Sequence, residues 1–276
     1  MAISIKEYKK EYENLIENMM EDKSVRKDLM LGLKKFEGCG LVSLDGNEIT
    51  GAAVFMGAEK TTDIQLYIKP SRRNSGIGTM ILRALEEKME KSGVEKIVLE
   101  YPENEIIKSF VYKRGYEYWF RSELMVYRDG KIPMDNCDVI GYEDKYYLEV
   151  QRIRSTAFHK MRKSVGLKSE LEKPNDEDRQ WYSENSGNVF LLRDNGKIVA
   201  ISAVEDNCID AIAVDIEEQG KGYGRRLLSF SINTLLERNH KEIVLWVVVG
   251  NTAKRLYEKA GFKTDHVSEL DLKKLK

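Results

Sequence analysis

The sequence predicts a mixed α/β fold, in α+β arrangement around a mixed sheet, built as two tandem and related domains. Three observations predict it. The first is an internal repeat: adding 146 carries Gly76 and Gly78 of "RNSGIGTM" onto Gly222 and Gly224 of "QGKGYGRR", "KIVL" (96–99) onto "EIVL" (242–245), and Gly115 onto Gly261. From about Thr61 to Tyr116 the halves align without a gap, and two copies of so long a stretch mean two related domains. The second is length, since 276 residues suit about two domains, each able to bury its own core. The third is that both halves read in one order: helices, antiparallel strands, glycine loop, helix, strand, helix, strand.

Each element has a local reason. Between Ile5 and Phe36, apolar positions at helical spacing (Tyr8, Tyr12, Leu15, Ile16, Met19) predict one or two amphipathic helices. "GLVSLDGNEITGAAVF" and "VFLLRDNGKIVAISAV" each place two strand-like runs around a turn containing Gly and Asn, which tolerate the positive φ of tight hairpins. "DIQLYI" (63–68) and "IDAIAV" (209–214) are strands leading into the two glycine loops. After the second loop, "RRLLSFSINTLLERN" reads as a helix ending near Asn239, and the β-branched "EIVLWVVV" as the next strand. In the second half Lys145–Lys163 reads as a helix whose basic residues, Arg152, Arg154, Lys160, Arg162 and Lys163, read as a solvated face, with contact to an acidic acceptor as the alternative. "LEKPNDEDRQWYSENSGN" reads as a loop with a short helix, a natural lid, in which Trp181 and Tyr182 suit packing and substrate stacking equally. After Phe262 there is room for one strand. The stretch "YRDGKIPMDNCD" divides the chain into domains 1–130 and 138–276.

Composition excludes several classes. Lys+Arg 45 against Asp+Glu 46 leaves a net charge of -1, with no electrostatic footprint for nucleic acid or an anionic membrane. Cys39, Cys137 and Cys208 have no CxxC spacing, and His159, His240 and His266 form no ligand pattern with them, so neither disulfide nor metal is expected. The N-terminus lacks an apolar signal core, and the longest apolar run, Ile243 to Val249, falls far short of a membrane span. A cytoplasmic setting is the expectation.

A strand that ends in a glycine-rich turn and opens a helix aims several backbone N–H groups at one point, where the helix dipole adds about half a positive charge. Such a point wants an anion. The dinucleotide fingerprint fails at its third position in both loops, filled by Arg225 and Ile81, and neither loop ends in Gly-Lys-Ser/Thr. What fits is Gln/Arg-x-x-Gly-x-Gly: Gln219, Gly222 and Gly224, with Arg73, Gly76 and Gly78 in the first half. Together with "GNTAKRLYEKAGF", this resembles the GNAT superfamily of acyl-CoA-dependent N-acyltransferases.

The resemblance implies a loop whose amides grip the pyrophosphate of acetyl-CoA, with the pantetheine arm in a V-shaped cleft between the strand before the loop and the strand after its helix. Carried onto this sequence, it assigns cofactor contacts to Ile212, Ala213, Val214, Gln219, Gly220, Lys221, Gly222, Tyr223, Gly224, Arg225, Asn251 and Tyr257, and in the first half to Arg73, Gly76 and Gly78. It makes Tyr257 the general acid that protonates the departing thiolate, a core aromatic being the competing reading. Asp210 is the nearest carboxylate for a general base, with Glu205 and Asp206 as rivals and a water relay as the alternative. Its strand is one that commonly carries a bulge. In the first half Glu105 stands for Asn251, Val111 for Tyr257 and Glu100 for Trp246, while Tyr112 lies about 100° around the helix. The implied activity is therefore transfer of an acetyl group to an amine of a small molecule or peptide by the second half. Two readings compete with it: a non-catalytic acyl-CoA sensor, and catalysis in the first half. Nothing names the acceptor, and a homodimer is an open alternative.

Overall fold

A computed structural model describes residues 3–21 and 23–275. The chain forms two compact units: the first takes the residues before 120 together with those from 269 on, the second residues 120–268. This partition differs from a linear split near 130–138, because residues 120–127 of the first half's last strand and residues 269–274 of the second half's last strand fall in the unit built by the other half.

Unit 1 contains β1 (Ile3–Glu7), α1 (Glu13–Met19), α2 (Lys23–Lys35), β2 (Gly40–Asp45), β3 (Glu48–Phe55), β4 (Thr61–Ile68), α3 (Ile77–Lys91), β5 (Lys96–Pro102) and α4 (Glu105–Tyr112). The chain thus opens with a strand where helical spacing had been expected from Ile5 on. β1 pairs antiparallel with β2 from Ile3↔Asp45 to Glu7↔Leu41. Ile3-Ser4-Ile5-Lys6 alternates apolar and polar, but so short a run is also compatible with a helix start, and pairing with β2 decides it. The sheet order is β1-β2-β3-β4-β5, continued by the end of β12 (Lys263–Lys274).

Unit 2 begins within β6 (Glu117–Tyr127) and continues through β7 (Asp138–Gly141), α5 (Tyr147–Ser164), α6 (Asp176–Glu184), β8 (Val189–Asp194), β9 (Lys197–Glu205), β10 (Cys208–Val214), α7 (Tyr223–Glu237), β11 (Ile243–Val248) and α8 (Lys254–Ala260) to the first half of β12. Its sheet runs β6-β11-β10-β9-β8-β7. On one face α7 buries Leu227, Leu228, Ile232 and Leu235 completely. Each contributes about 1.5–3 kcal/mol. On the other face α5 and α6 close over Ile201, Ala211 and Ala213, with Tyr182 buried and stacked on Tyr142 at 5.3 Å. Tyr182 is therefore a packing residue, whereas Trp181 beside it is 39% exposed. The segment before α6 is tied down: Glu172 pairs with Arg154 (3.1 Å) and Arg162 (2.9 Å), and its carbonyl accepts from Gln151 and Ser155. Arg152 pairs with the buried Asp215 at 2.7 Å. These arginines are structural ties and not the solvated face expected of the helix.

The repeat persists in the exchanged strands. Lys254 pairs with the buried Glu123 of β6 at 2.6 Å in unit 2, and Lys108 with the buried Glu269 of β12 at 3.1 Å in unit 1. The same shift of 146 relates both lysines and both glutamates. Burial works against charge at Glu123, but the Lys254 ammonium and the Thr264 hydroxyl hold its carboxyl below the usual range.

Because β6 pairs with β11 from Ile243↔Tyr127 to Val248↔Ser122, a fragment 138–276 leaves β11 with a bare apolar edge. It is expected to aggregate or melt without cooperativity, and a fragment 120–276 to regain a cooperative transition by circular dichroism. Equal melting of the two would contradict this account of unit 2.

Candidate active site

The site begins with a fault in a strand. β10 pairs antiparallel with β9, and the register shifts between Ile209 and Ala211, which makes Asp210 the extra residue of a β-bulge. On its other side β10 pairs parallel with β11 at Cys208↔Val244, and beyond that the register gives no further pair. The strands part there. In unit 1, β4 meets β3 without a shift and stays paired with β5 from Thr61↔Lys96 to Ile64↔Leu99. Asp215 donates its N–H to Val199 on β9. Backbone groups alternate along a strand, so the amides of Ile212 and Val214 face the opened edge.

A cavity of about 670 Å³ fills the opening, within the range of small-molecule sites. The second-half residues assigned to the cofactor and to catalysis all line it except Lys221, whereas the rival bases Glu205 and Asp206 and the lid residues Trp181 and Tyr182 do not. α5 adds Phe158, Lys160 and Met161, and β11 adds Trp246, which is 42% exposed. Sequence reasoning named Lys160 only as one basic residue of a helix read as solvated, and did not point to Phe158, Met161 or Trp246 as walls, since α5 carries no motif and Trp246 sits in an unbroken apolar run.

The loop has the geometry its glycines require. Gly220 (φ 85°) and Gly222 (φ 86°) are left-handed, and Gly222 caps α7. A Cβ on Gly222 would have nothing within 4 Å, so this side of the loop is open. Arg226 N–H is bonded to Gly222 O, whereas the preceding first-turn amides have no acceptor within the helix. Gln219 Nε2 donates to Val214 O at 3.3 Å, and Arg73 Nε repeats the contact to Ile68 O at 3.2 Å. Lys221 is held by Glu218 at 2.5 Å and Arg225 by Asp135, so both charges already have carboxylate partners.

Unit 1 keeps the loop but fills the space beyond it. Gly76 caps α3 at φ 85°, like its counterpart. A Cβ on Gly78 would lie 3.2 Å from the Phe110 ring, and Arg114 stacks on that ring at 3.6 Å while bonding Thr79 in the first turn of α3. A Cβ on Gly76 would meet the same open space as one on Gly222; what differs is the larger ring beside Gly78, 3.2 Å away against 3.5 Å for Leu256 at Gly224, and the Arg114 cation bonded to the first turn of α3.

Three polar side chains with a chemical role in view line the unit 2 cavity. Asn251 Oδ1 accepts the N–H of Ala253 at 2.9 Å, which starts α8. Tyr257, half-buried on α8, sets its ring edge-on to Phe262 at 6.2 Å. Burial pushes its phenol up to about 12, and its hydroxyl makes no hydrogen bond among the described residues. Asp210 is exposed on the bulge, with no ion pair among the described residues. Tyr112 of unit 1 differs, donating its hydroxyl to Glu269 at 2.9 Å. No cysteine lines the cavity, and the thiol of nearby Cys208 is pushed up to about 12 by burial, with Asp210 and Glu205 adding to the effect. The arrangement can therefore hold an anion at the loop, lay an extended apolar arm along the β10 edge, and present a protonated phenol at its end.

Comparison with known proteins decides the family. A model of the GNAT acetyltransferase family matches residues 5–116, and one of the GNAT acetyltransferase domain matches residues 185–264, together more than half of the chain. The chain belongs to the GNAT acetyltransferase family. Among similar proteins, a mycothiol acetyltransferase of Catenulispora acidiphila is 26% identical over 247 residues, covering 80% of this chain and 76% of its own. One from Kocuria rhizophila is 24% identical, covering 82% of each. Of solved structures, a GCN5-related N-acetyltransferase from Sphaerobacter thermophilus aligns with a TM-score of 0.71 at 16% identity, over 99% of this chain and 95% of the other. A tandem GNAT protein from the clavulanic acid biosynthesis pathway aligns with a TM-score of 0.66 at 13% identity, over 99% and 98%. The tandem GNAT acetyltransferase reading of the repeat is thus correct, and GNAT enzymes take acetyl-CoA as donor.

Gly222→Val would impose a Cβ on a left-handed residue, at about 1–2 kcal/mol, and turn a side chain toward the open loop amides. Acetyl-CoA affinity measured by calorimetry is expected to fall at least about tenfold. Unchanged affinity would show that the loop does not hold the cofactor.

Proposed function

We propose that unit 2 transfers the acetyl group of acetyl-CoA to a primary amine by direct attack, with unit 1 as a degenerate copy. The observation that carries this reading is the parting of β10 from β11 at Cys208↔Val244, which opens a cavity running from the glycine loop to Tyr257. Acetyl-CoA supplies the activated acetyl group. The first-turn amides of α7 bind its diphosphate, and the amides of Ile212 and Val214 orient the arm and polarise the thioester carbonyl. Asp210, directly or through one water, accepts the proton of the attacking amine. Tyr257, neutral because burial raises its phenol, donates its proton to the departing sulfur. The absence of a thiol among the lining residues favours direct attack over an acyl-enzyme.

The acceptor is a small-molecule amine. It enters beside Asp210 against the exposed face of Trp246, with Phe158 on the opposite element. That the relatives found at 24–26% identity are mycothiol acetyltransferases supports a small molecule over a peptide. Catalysis by unit 1 is disfavoured by Val111 at the position of Tyr257 and by the engagement of Tyr112 with Glu269.

Tyr257→Phe keeps the ring and its contact with Phe262, so stability should change little. Turnover, followed as thiol release with an amine panel, should fall by roughly 10² to 10⁴ with acetyl-CoA affinity intact. Tyr112→Phe should leave turnover unchanged, and the opposite pattern would move the active site to unit 1. The sign of the pH dependence follows from burial. The protonated phenol is the active form and is retained until pH nears about 12. The saturated rate should therefore show no loss between pH 7 and about 10 that Tyr257→Phe removes. An alkaline fall below pH 10 that vanishes in the phenylalanine variant would contradict a raised phenol.

A further inference from the structure

A diphosphate brings two negative charges to a helix end that offers about half a positive one, so a side-chain cation is wanted close to the loop. Lys160 and Arg225 are the cations lining the cavity. Arg225 is bonded to Asp135, Arg226 has the same carboxylate at 3.8 Å, and Lys221 holds Glu218 at 2.5 Å. Lys160 differs. Its Nζ lies 3.0 Å from Gln219 Oε1, a neutral amide, and no carboxylate pairs with it among the described residues. The three arginines of α5 have found acids: Arg152 has Asp215 at 2.7 Å, and Arg154 and Arg162 share Glu172, while Lys163 does not line the cavity.

The exposed Lys160 side chain is directed to the loop by its one bond to Gln219. Gln219 donates to Val214 O with one end of its amide and accepts from Lys160 with the other, so the ammonium is held against the first residue of the glycine motif. Phe158 and Met161, next to Lys160 on α5, line the same cavity.

We propose that Lys160, which lies outside the glycine motif and reaches it from α5, is the cation that neutralises the cofactor diphosphate. The proposal rests on the reading of the loop as the acetyl-CoA site. Exchanging a neutral amide partner for a phosphate oxygen breaks no ion pair, whereas recruiting Arg225 or Lys221 would first separate one. The contact also makes α5, the wall carrying Phe158, responsive to cofactor binding.

The test is calorimetry of CoA binding to the full chain and to the variants Lys160→Met and Lys160→Arg, at about 0.1 M and 1 M salt, where screening lengths are roughly 10 Å and 3 Å. Lys160→Met should bind about tenfold more weakly at low salt, with the gap closing at high salt, and Lys160→Arg should stay within about twofold of the parent. Melting temperatures serve as the check that each variant is folded. Equal affinity of Lys160→Met and the parent at low salt would overturn the proposal. So would a deficit that salt does not reduce, or an equal loss in Lys160→Arg, because either would assign shape and not charge. Failure of the parent chain to bind CoA would instead remove the reading of the loop on which the proposal rests.

Discussion

One extra residue in one strand governs the site. Asp210 sits where β10 slips register against β9, and the slip turns the rest of β10 away from β11 after a single paired position. The amides of Ile212 and Val214 are thereby left facing an open edge. The edge becomes the floor of a cavity, and the cavity gives the glycine loop, Asn251 and Tyr257 a common space. A regular ladder would have spent those amides on β11 and left the loop as an ordinary strand-to-helix turn; unit 1, with no bulge in β4, stays paired two equivalent residues further.

The two halves show that a motif and a site are separable. Gly76 and Gly222 cap their helices at the same left-handed φ, and Arg73 and Gln219 make the same bond to the strand before them. What differs lies downstream. β4 stays paired with β5 as far as Ile64↔Leu99, the ring of Phe110 closes on Gly78, and Arg114 places a cation at the helix end. Conserving a loop's backbone costs little because few residues specify it, while keeping a cleft open requires a bulge and small or absent side chains along a whole strand. The strand exchange is maintained by the paired Lys108–Glu269 and Lys254–Glu123 contacts, each with a carboxylate that would be buried without a counter-charge if its lysine were lost.

Much of this was legible in the residues. The gapless repeat gave the tandem architecture, glycine and asparagine marked both hairpins, and the loop pattern with "GNTAKRLYEKAGF" indicated the family. Three features were not legible, each for a physical reason. β1 is a short edge strand whose conformation comes from pairing with β2. The partition of the chain depends on which sheet takes β6 and β12, and alternation within a strand does not encode its neighbour. The α5 wall, with Lys160 at the loop and its arginines tied to Asp215 and Glu172, arises from side chains far apart in sequence. Helical periodicity alone makes these residues look solvated.

The central claim is that opening the β10–β11 pair, and not the glycine motif by itself, makes an acetyl-CoA site. The most direct measurement is the number of acetyl-CoA molecules bound per chain, by native mass spectrometry and calorimetric titration at saturating ligand. One molecule per chain is expected, because β4 stays paired with β5 two equivalent residues further than β10 with β11, and Phe110 with Arg114 stands at the unit 1 loop. Two per chain with similar affinity would show that the longer β4–β5 pairing and the Phe110–Arg114 stack of unit 1 are no barrier, and would contradict the account.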